Sequence, residues 1–165
     1  MFVKTLAVAT AFVASSVMAA EVPITGEVTS KCSIYTDTAG VYGNPSPSTL
    51  STASADGGVV PVVRYDVILA DAYKARISTP ESFTTSPTLT DALTWSGSVE
   101  VGQVSDTAMA GYEAAKVTYN NTTEYDMTVA GSTWFKVNSE VSYGVDKALP
   151  GGTYKAVVTA ECIAK

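Results

Sequence analysis

The sequence predicts an all-β chain, an antiparallel β-sandwich, on three observations. About seven short segments alternate apolar and polar residues, the two-residue period of a half-buried strand, with Gly, Pro, Asn, Asp or Ser between them. No long segment carries the 3.6-residue period of an amphipathic helix. The composition is rich in Val, Thr, Ser, Ala, Gly and Tyr and poor in Leu, Glu, Lys and Arg, which suits a pleated, half-buried surface.

Residues Met1 to Ala19 read as a secretory leader: the basic residue Lys4, an apolar run from Leu6 to Val13, then small residues with Val17 and Ala19 placed for cleavage. Cleavage after Ala20 is nearly as good. The apolar run falls short of the roughly 18 residues a membrane span needs, and no later stretch reaches that length. The expectation is an exported, soluble chain of about 145 residues, enough for one domain with a real core. Residues 20–34 are expected to form a leading strand that runs into the first strand of the domain, and residues 35–165 the sandwich itself.

In the leading stretch Val22, Ile24, Gly26, Val28, Cys32 and Ile34 fall on one face, and Glu21, Thr25, Glu27, Thr29 and Lys31 on the other. One side is dry and needs a groove, in this molecule or in a neighbour. The plainer alternative is an ordinary first strand paired within its own sheet. The end of the chain has the same pattern, with Tyr154, Ala156, Val158, Ala160 and Cys162 on one face and Lys155, Thr159 and Glu161 mostly on the other.

Between these ends, Tyr42 to Ser48 reads as a loop, because its prolines and glycines do not suit a ladder interior. Leu50 to Ala53 is a short strand closed by Asp56-Gly57-Gly58. Val59 to Leu69 is an apolar, β-branched run with an irregular start at Pro61, and from Val63 onward it reads as a central strand. Tyr73 to Ile77 is a further strand, and Thr79 to Thr90 a Pro-, Ser- and Thr-rich surface connection. Thr90 to Leu93 is a candidate single helical turn capped by Thr90. Gly97 to Val104 alternates again. Met109 to Val117 fits helix and strand about equally, with strand preferred from Ala115 to Tyr119. Asn120 to Thr123, which contains glycosylation sequons, reads as a turn. Tyr125, Met127 and Val129 share one face. Thr133, Phe135, Val137, Val141, Tyr143 and Val145 mark the clearest strand, long enough that a bulge or bend is expected near Asn138-Ser139. Leu149 to Gly152 then turns into the last strand.

The net charge is −6 and histidine is absent. An acidic surface without basic clusters argues against nucleic acid, and the missing histidine removes the commonest general base and transition-metal ligand. Asp37, Asp66, Asp71, Asp91 and Asp126 read as solvated carboxylates with no base, nucleophile or ligand set around them, so no catalytic residue, metal site or cofactor is expected. Trp95 and Trp134 are candidates for a sugar-stacking platform, Trp134 because it lies on the polar face of its strand. A transmembrane β-barrel also predicts alternating strands, but the Pro-rich loops and the absence of aromatic girdles disfavour it.

The two cysteines, Cys32 and Cys162, are most simply a disulfide in an exported chain, joining the first strand to the last. The alternative is a pair of free buried thiols.

Three features together resemble a chaperone–usher fimbrial subunit: the alternating strand just after the leader, the irregular Pro/Gly region that follows, and the closing Pro150-Gly151-Gly152-Thr153-Tyr154-x-Ala156-x-Val158. Gly26-Glu27-Val28 followed by Cys32 is similar to the start of type 1-like pilins, whereas the short leading strand and overall spacing resemble the colonisation-factor, alpha-type, major pilins. The resemblance implies an immunoglobulin-like sandwich that lacks its final strand and is completed by donor-strand exchange. Val22, Ile24 and Val28 would be the inserted side chains, Gly26 a point of close backbone approach, and Tyr154, Ala156, Val158 and Ala160 one wall of the acceptor groove. It further implies a cell-surface fibre supporting adhesion, in which the chain is a homopolymer. The implied partners are a periplasmic chaperone, an outer-membrane usher and a receptor on a host or other surface. The chain has no room for the extra receptor domain of a tip adhesin, which favours a shaft subunit. A pairing of Cys32 with Cys162 departs from both pilin subclasses. The alternative function is a self-complete secreted sandwich that binds a glycan or protein as a monomer.

Overall fold

The computed structural model of the protein describes residues 23–26, 31–145 and 147–165. The expected leader Met1 to Ala19, and Val22 and Val28 of the expected donor strand, lie outside the described residues. Among the described residues ten strands form: β1 Cys32–Thr38, β2 Gly43–Ser46, β3 Thr49–Ser51, β4 Val62–Val67, β5 Tyr73–Ser78, β6 Leu93–Val104, β7 Val117–Tyr119, β8 Thr122–Met127, β9 Gly131–Tyr143 and β10 Thr159–Ala164. One short α-helix, α1, covers Tyr112–Ala115.

The strands pair antiparallel in two sheets. The first runs β1-β4-β9-β3-β2, with β6 along the other side of β9, and the second runs β10-β5-β8-β7. The core lies between them: Tyr65, Phe135 and Val137 from the first sheet meet Ala75, Ile77, Tyr125 and Met127 from the second. The Phe135 ring sits edge-on to Tyr65 at 5.5 Å and tilted against Tyr125 at 4.5 Å. The buried tyrosine hydroxyls are satisfied by backbone carbonyls, Tyr65 donating to Arg76 at 3.0 Å and Tyr125 to Val99 at 3.1 Å. Burial pushes both phenols well above their usual pKa, so both stay neutral donors.

The spine is β9. Thr133, Phe135, Val137, Ser139, Val141 and Tyr143 are all buried, and the residues between them are partly or fully exposed. The bend expected at Asn138-Ser139 is absent from this strand, because its neighbour changes there instead. β4 pairs with residues 131–136 and β3 with 140–142 on the same edge. Across the gap Val137 N–H donates to the Pro61 carbonyl at 3.0 Å, and Ser139 N–H donates to Thr52 Oγ1 at 2.9 Å. The irregularity falls in β6, between Val101 and Gln103.

Four further expectations are corrected. Residues 43–46 form a strand and not a loop, since Pro45 is tolerated at a sheet margin where no N–H is required. Thr90 caps no helix: its N–H donates to the Tyr143 hydroxyl at 3.1 Å, and the chain enters β6 at Leu93. The ambiguous stretch around Ala115 divides into α1 and then β7, because the buried Tyr112 hydroxyl takes the Val129 N–H at 2.9 Å and pins a helical turn there. The last ladder spans Thr159–Ala164 and not Tyr154 to Cys162; the earlier residues are extended but outside any sheet. The sequons at Asn120 and Asn121 do lie at a turn, with Asn120 at φ 52°, where asparagine is tolerated.

Cys32 and Cys162 form a disulfide with a Cα–Cα distance of 6.3 Å. It joins β1 of one sheet to β10 of the other. With the cysteines 130 positions apart, closing this loop stabilises the fold by about 4–5 kcal/mol on the chain-entropy account. On the outer face of the second sheet, Glu124 accepts from Arg76 at 2.7 Å and from the Tyr119 hydroxyl at 2.8 Å, and Arg76 also reaches Glu161 on β10 at 3.7 Å.

Replacing Phe135 by alanine is expected to lower unfolding free energy by about 3–5 kcal/mol in urea titrations, whereas Glu140→Ala on the outer face of the same strand should change it by less than about 0.5 kcal/mol. The Arg76 and Tyr119 hydrogen bonds hold the Glu124 carboxyl below its usual pKa. Its contribution is therefore complete above the unfolded-state value and lost as pH falls through the lower folded-state value. The stability gap between the protein and its Glu124→Gln variant should be open at about pH 6 and close by about pH 3.

Candidate functional site

Sheet edges carry unpaired backbone groups, and this fold protects most of its edges. The β2 margin has Pro45. On β6 the Val101 N–H donates to the Glu113 carboxylate at 2.8 Å and the Val99 carbonyl accepts from Lys116 at 2.8 Å, so α1 covers that edge with charge. β7 is three residues long. In the sheets β1 pairs with β4 and β10 with β5, and neither proline nor a charged side chain caps the outer side of residues 33–38 among the described residues.

The end of β1 and the run that leads into β10 face each other across a groove of about 660 Å³. One wall is the end of β1 and its continuation through Thr36, Thr38 and Val41, and the other is the extended run of Tyr154, Ala156 and Val158. Leu50 and Val63 belong to the floor. Along the second wall Tyr154, Ala156 and Val158 are half-buried, while Thr153, Lys155 and Val157 are exposed. That alternation is a strand's, yet among the described residues Lys155 is the one position of 153–158 whose backbone is paired. Its N–H donates to Thr85 at 2.8 Å and its carbonyl accepts from Thr84 at 2.7 Å.

Toward the disulfide the groove ends at Thr36 and Val158, each four residues from a bonded cysteine, and at its other end aromatic rings pack against Tyr154. Phe83 packs edge-on to Trp95 at 4.8 Å and to Tyr154 at 5.0 Å, with Tyr42 at 6.4 Å. Tyr154 is fixed by its hydroxyl donating to the Pro150 carbonyl at 2.6 Å and by the turn at Gly152, φ 154°, where an added Cβ would stand 2.5 Å from the Pro87 ring. The Tyr42 hydroxyl meets Ser139 Oγ at 2.9 Å, and burial pushes its pKa up. Apart from the exposed Lys155, the groove is lined by neutral hydrogen-bonding and apolar groups. It suits a peptide strand better than a charged ligand.

Of the residues expected to line an acceptor groove, Tyr154, Ala156 and Val158 lie in it. Ala160 lies beyond it, paired with Ile77 in β10 and packed against the core. Of the expected donor residues, Ile24 is 97% exposed and Gly26 has no heavy atom within 4 Å of an added Cβ. Sequence reasoning missed Phe83 and treated its loop as a mere connection. The available signal was a single large aromatic in an otherwise polar, Pro-rich stretch.

Trp134, the other aromatic of interest, lies on the outer face of the first sheet. Its Nε1 donates to Asp37 at 3.2 Å, and the Arg64 guanidinium lies 4.7 Å from the Tyr35 ring centre and 5.9 Å from that of Trp134. Among the described residues no group of three or more His, Cys, Asp or Glu is placed to hold a metal ion. Comparison with family models, with curated proteins and with solved structures finds no match.

In a Trp134→Phe background, which leaves Trp95 as the reporter, Phe83→Ala should shift the fluorescence maximum to longer wavelength and cost about 1–2 kcal/mol of stability. An unchanged spectrum would mean that Phe83 does not close the groove.

Proposed function

We propose that this chain is a structural subunit of a bacterial surface fibre, an immunoglobulin-like sandwich that lacks its final strand and receives the leading strand of the next subunit in its place. The observation that carries this reading is selective protection of edges. Pro45, Glu113 and Lys116 guard β2 and β6, while the end of β1 at Thr36 to Thr38 and residues 153–158 other than Lys155 leave open backbone on both sides of a largely apolar groove. The segment with the matching chemistry is residues 21–28, whose alternate side chains Val22, Ile24 and Val28 are apolar and whose described part stands away from the domain. Burying one such side chain contributes about 1.5–3 kcal/mol, and the added backbone pairs supply register.

On this reading the open groove in a lone subunit is a liability, which calls for a chaperone that covers it in the periplasm and an usher that exchanges chaperone for neighbour at the outer membrane. The finished fibre stands on the cell surface and supports adhesion, and the chain does no catalysis. The second reading, a secreted module binding a glycan or protein, draws on the outward stack of Tyr35, Arg64 and Trp134. It would use that face and leave the groove idle.

Surface-sheared material run unboiled on a denaturing gel should give a ladder that collapses on boiling, because inserted strands leave slowly. A version lacking residues 21–28 should give monomer alone. Monomer in both lanes, together with ligand binding lost in Trp134→Ala, would favour the binding module.

A further inference from the structure

We propose that the Cys32–Cys162 disulfide is an end stop for the groove: it limits how far a partner strand can enter and keeps the chain's own leading segment out. This rests on the strand-acceptor reading above and adds to it a determinant of length and partner choice.

Neighbouring strands lie about 4.8 Å apart, so a strand seated between two others needs about 10 Å between its flanks. At the disulfide the two flanks are Cys32 of β1 and Cys162 of β10, and their Cα atoms are 6.3 Å apart. That is room for side chains of adjacent strands but not for a third backbone. Just behind the bond the space is also filled, because the fully buried Tyr65 places its hydroxyl 3.2 Å from the Glu161 carbonyl as well as on Arg76. From Thr36 onward on one wall and back from Val158 on the other, the groove opens. The second wall therefore offers only the run from Tyr154 to Val158, five residues, which at about 3.3 Å each accepts a strand of about five residues, part of the eight in residues 21–28.

The same bond decides whose segment enters. The leading segment joins β1 at Cys32, and the Lys31 carbonyl is already held by the Ile68 N–H at 2.9 Å while its own N–H donates to the Tyr73 hydroxyl at 3.1 Å. Residues 21–28 therefore start from the closed end. To lie in their own groove they would have to fold back along β1 past Cys162, through the gap that the disulfide closes. A second copy presents the same segment from outside and meets no such obstacle. The occupant we assign is residues 21–28 of another copy of this chain.

The test uses the oxidised protein lacking residues 21–28 and a synthetic peptide of residues 20–31, with amide hydrogen exchange followed residue by residue. Exchange at the open-edge amides of residues 36–40, 154 and 156–158 should slow at least about tenfold, while the outward amides of residues 33–35 and 159–162 stay as they were. In the Cys32→Ser/Cys162→Ser variant, protection should spread into residues 33–35 and 159–162. Protection of 159–162 in the oxidised protein, or the same protected set in both proteins, would overturn the end stop while leaving strand acceptance standing. If the variant does not fold, the oxidised protein alone decides. No protection anywhere would overturn strand acceptance and the end stop with it.

Discussion

Backbone N–H and C=O groups along a strand edge must find partners or stay open to whatever can supply them, and that constraint governs this protein. The long strand β9 meets it fully: β6 lies along one side, and β4 and β3 divide the other. At the margins the fold uses proline, charge and brevity. One flank is different, where β1 and the approach to β10 face each other with apolar side chains between and a covalent bond at one end.

The core explains why the flank can stay open without loss of the fold. Phe135 and its two tyrosine neighbours sit at the centre of the sandwich, with both hydroxyls bonded to carbonyls of strands from opposite sheets. These bonds brace the layers from inside. At the rim the disulfide does the same work between β1 and β10, and Arg76 links β5 to β8 and β10 on the outer face. The groove is therefore a gap in a braced frame.

Much of the frame was legible in the sequence because it is written in local alternation. Val63 to Val67 and Thr133 to Tyr143 bury their odd-numbered residues as the two-residue period requires, and the two cysteines pointed to the bond that is found. What could not be read depends on neighbours. Pro45 argues against a strand unless the strand is known to be marginal. Thr90 looks like a cap until Tyr143 takes its N–H. Residues 154–158 alternate as well as any strand in the chain, yet alternation says only which side is dry, not whether a ladder partner exists. The same holds for Phe83, whose role is visible only once Trp95 and Tyr154 are brought beside it.

The central claim is that the flank between β1 and residues 153–158 accepts an apolar strand of the chain's own leading sequence. The most direct measurement is thermal unfolding of the protein lacking residues 21–28, alone and with a peptide of those residues. With peptide at about a hundred times its dissociation constant, the midpoint should rise by roughly 5 °C or more, and a peptide with Ile24→Asp should leave it unchanged. An equal midpoint with either peptide and without any would contradict the account.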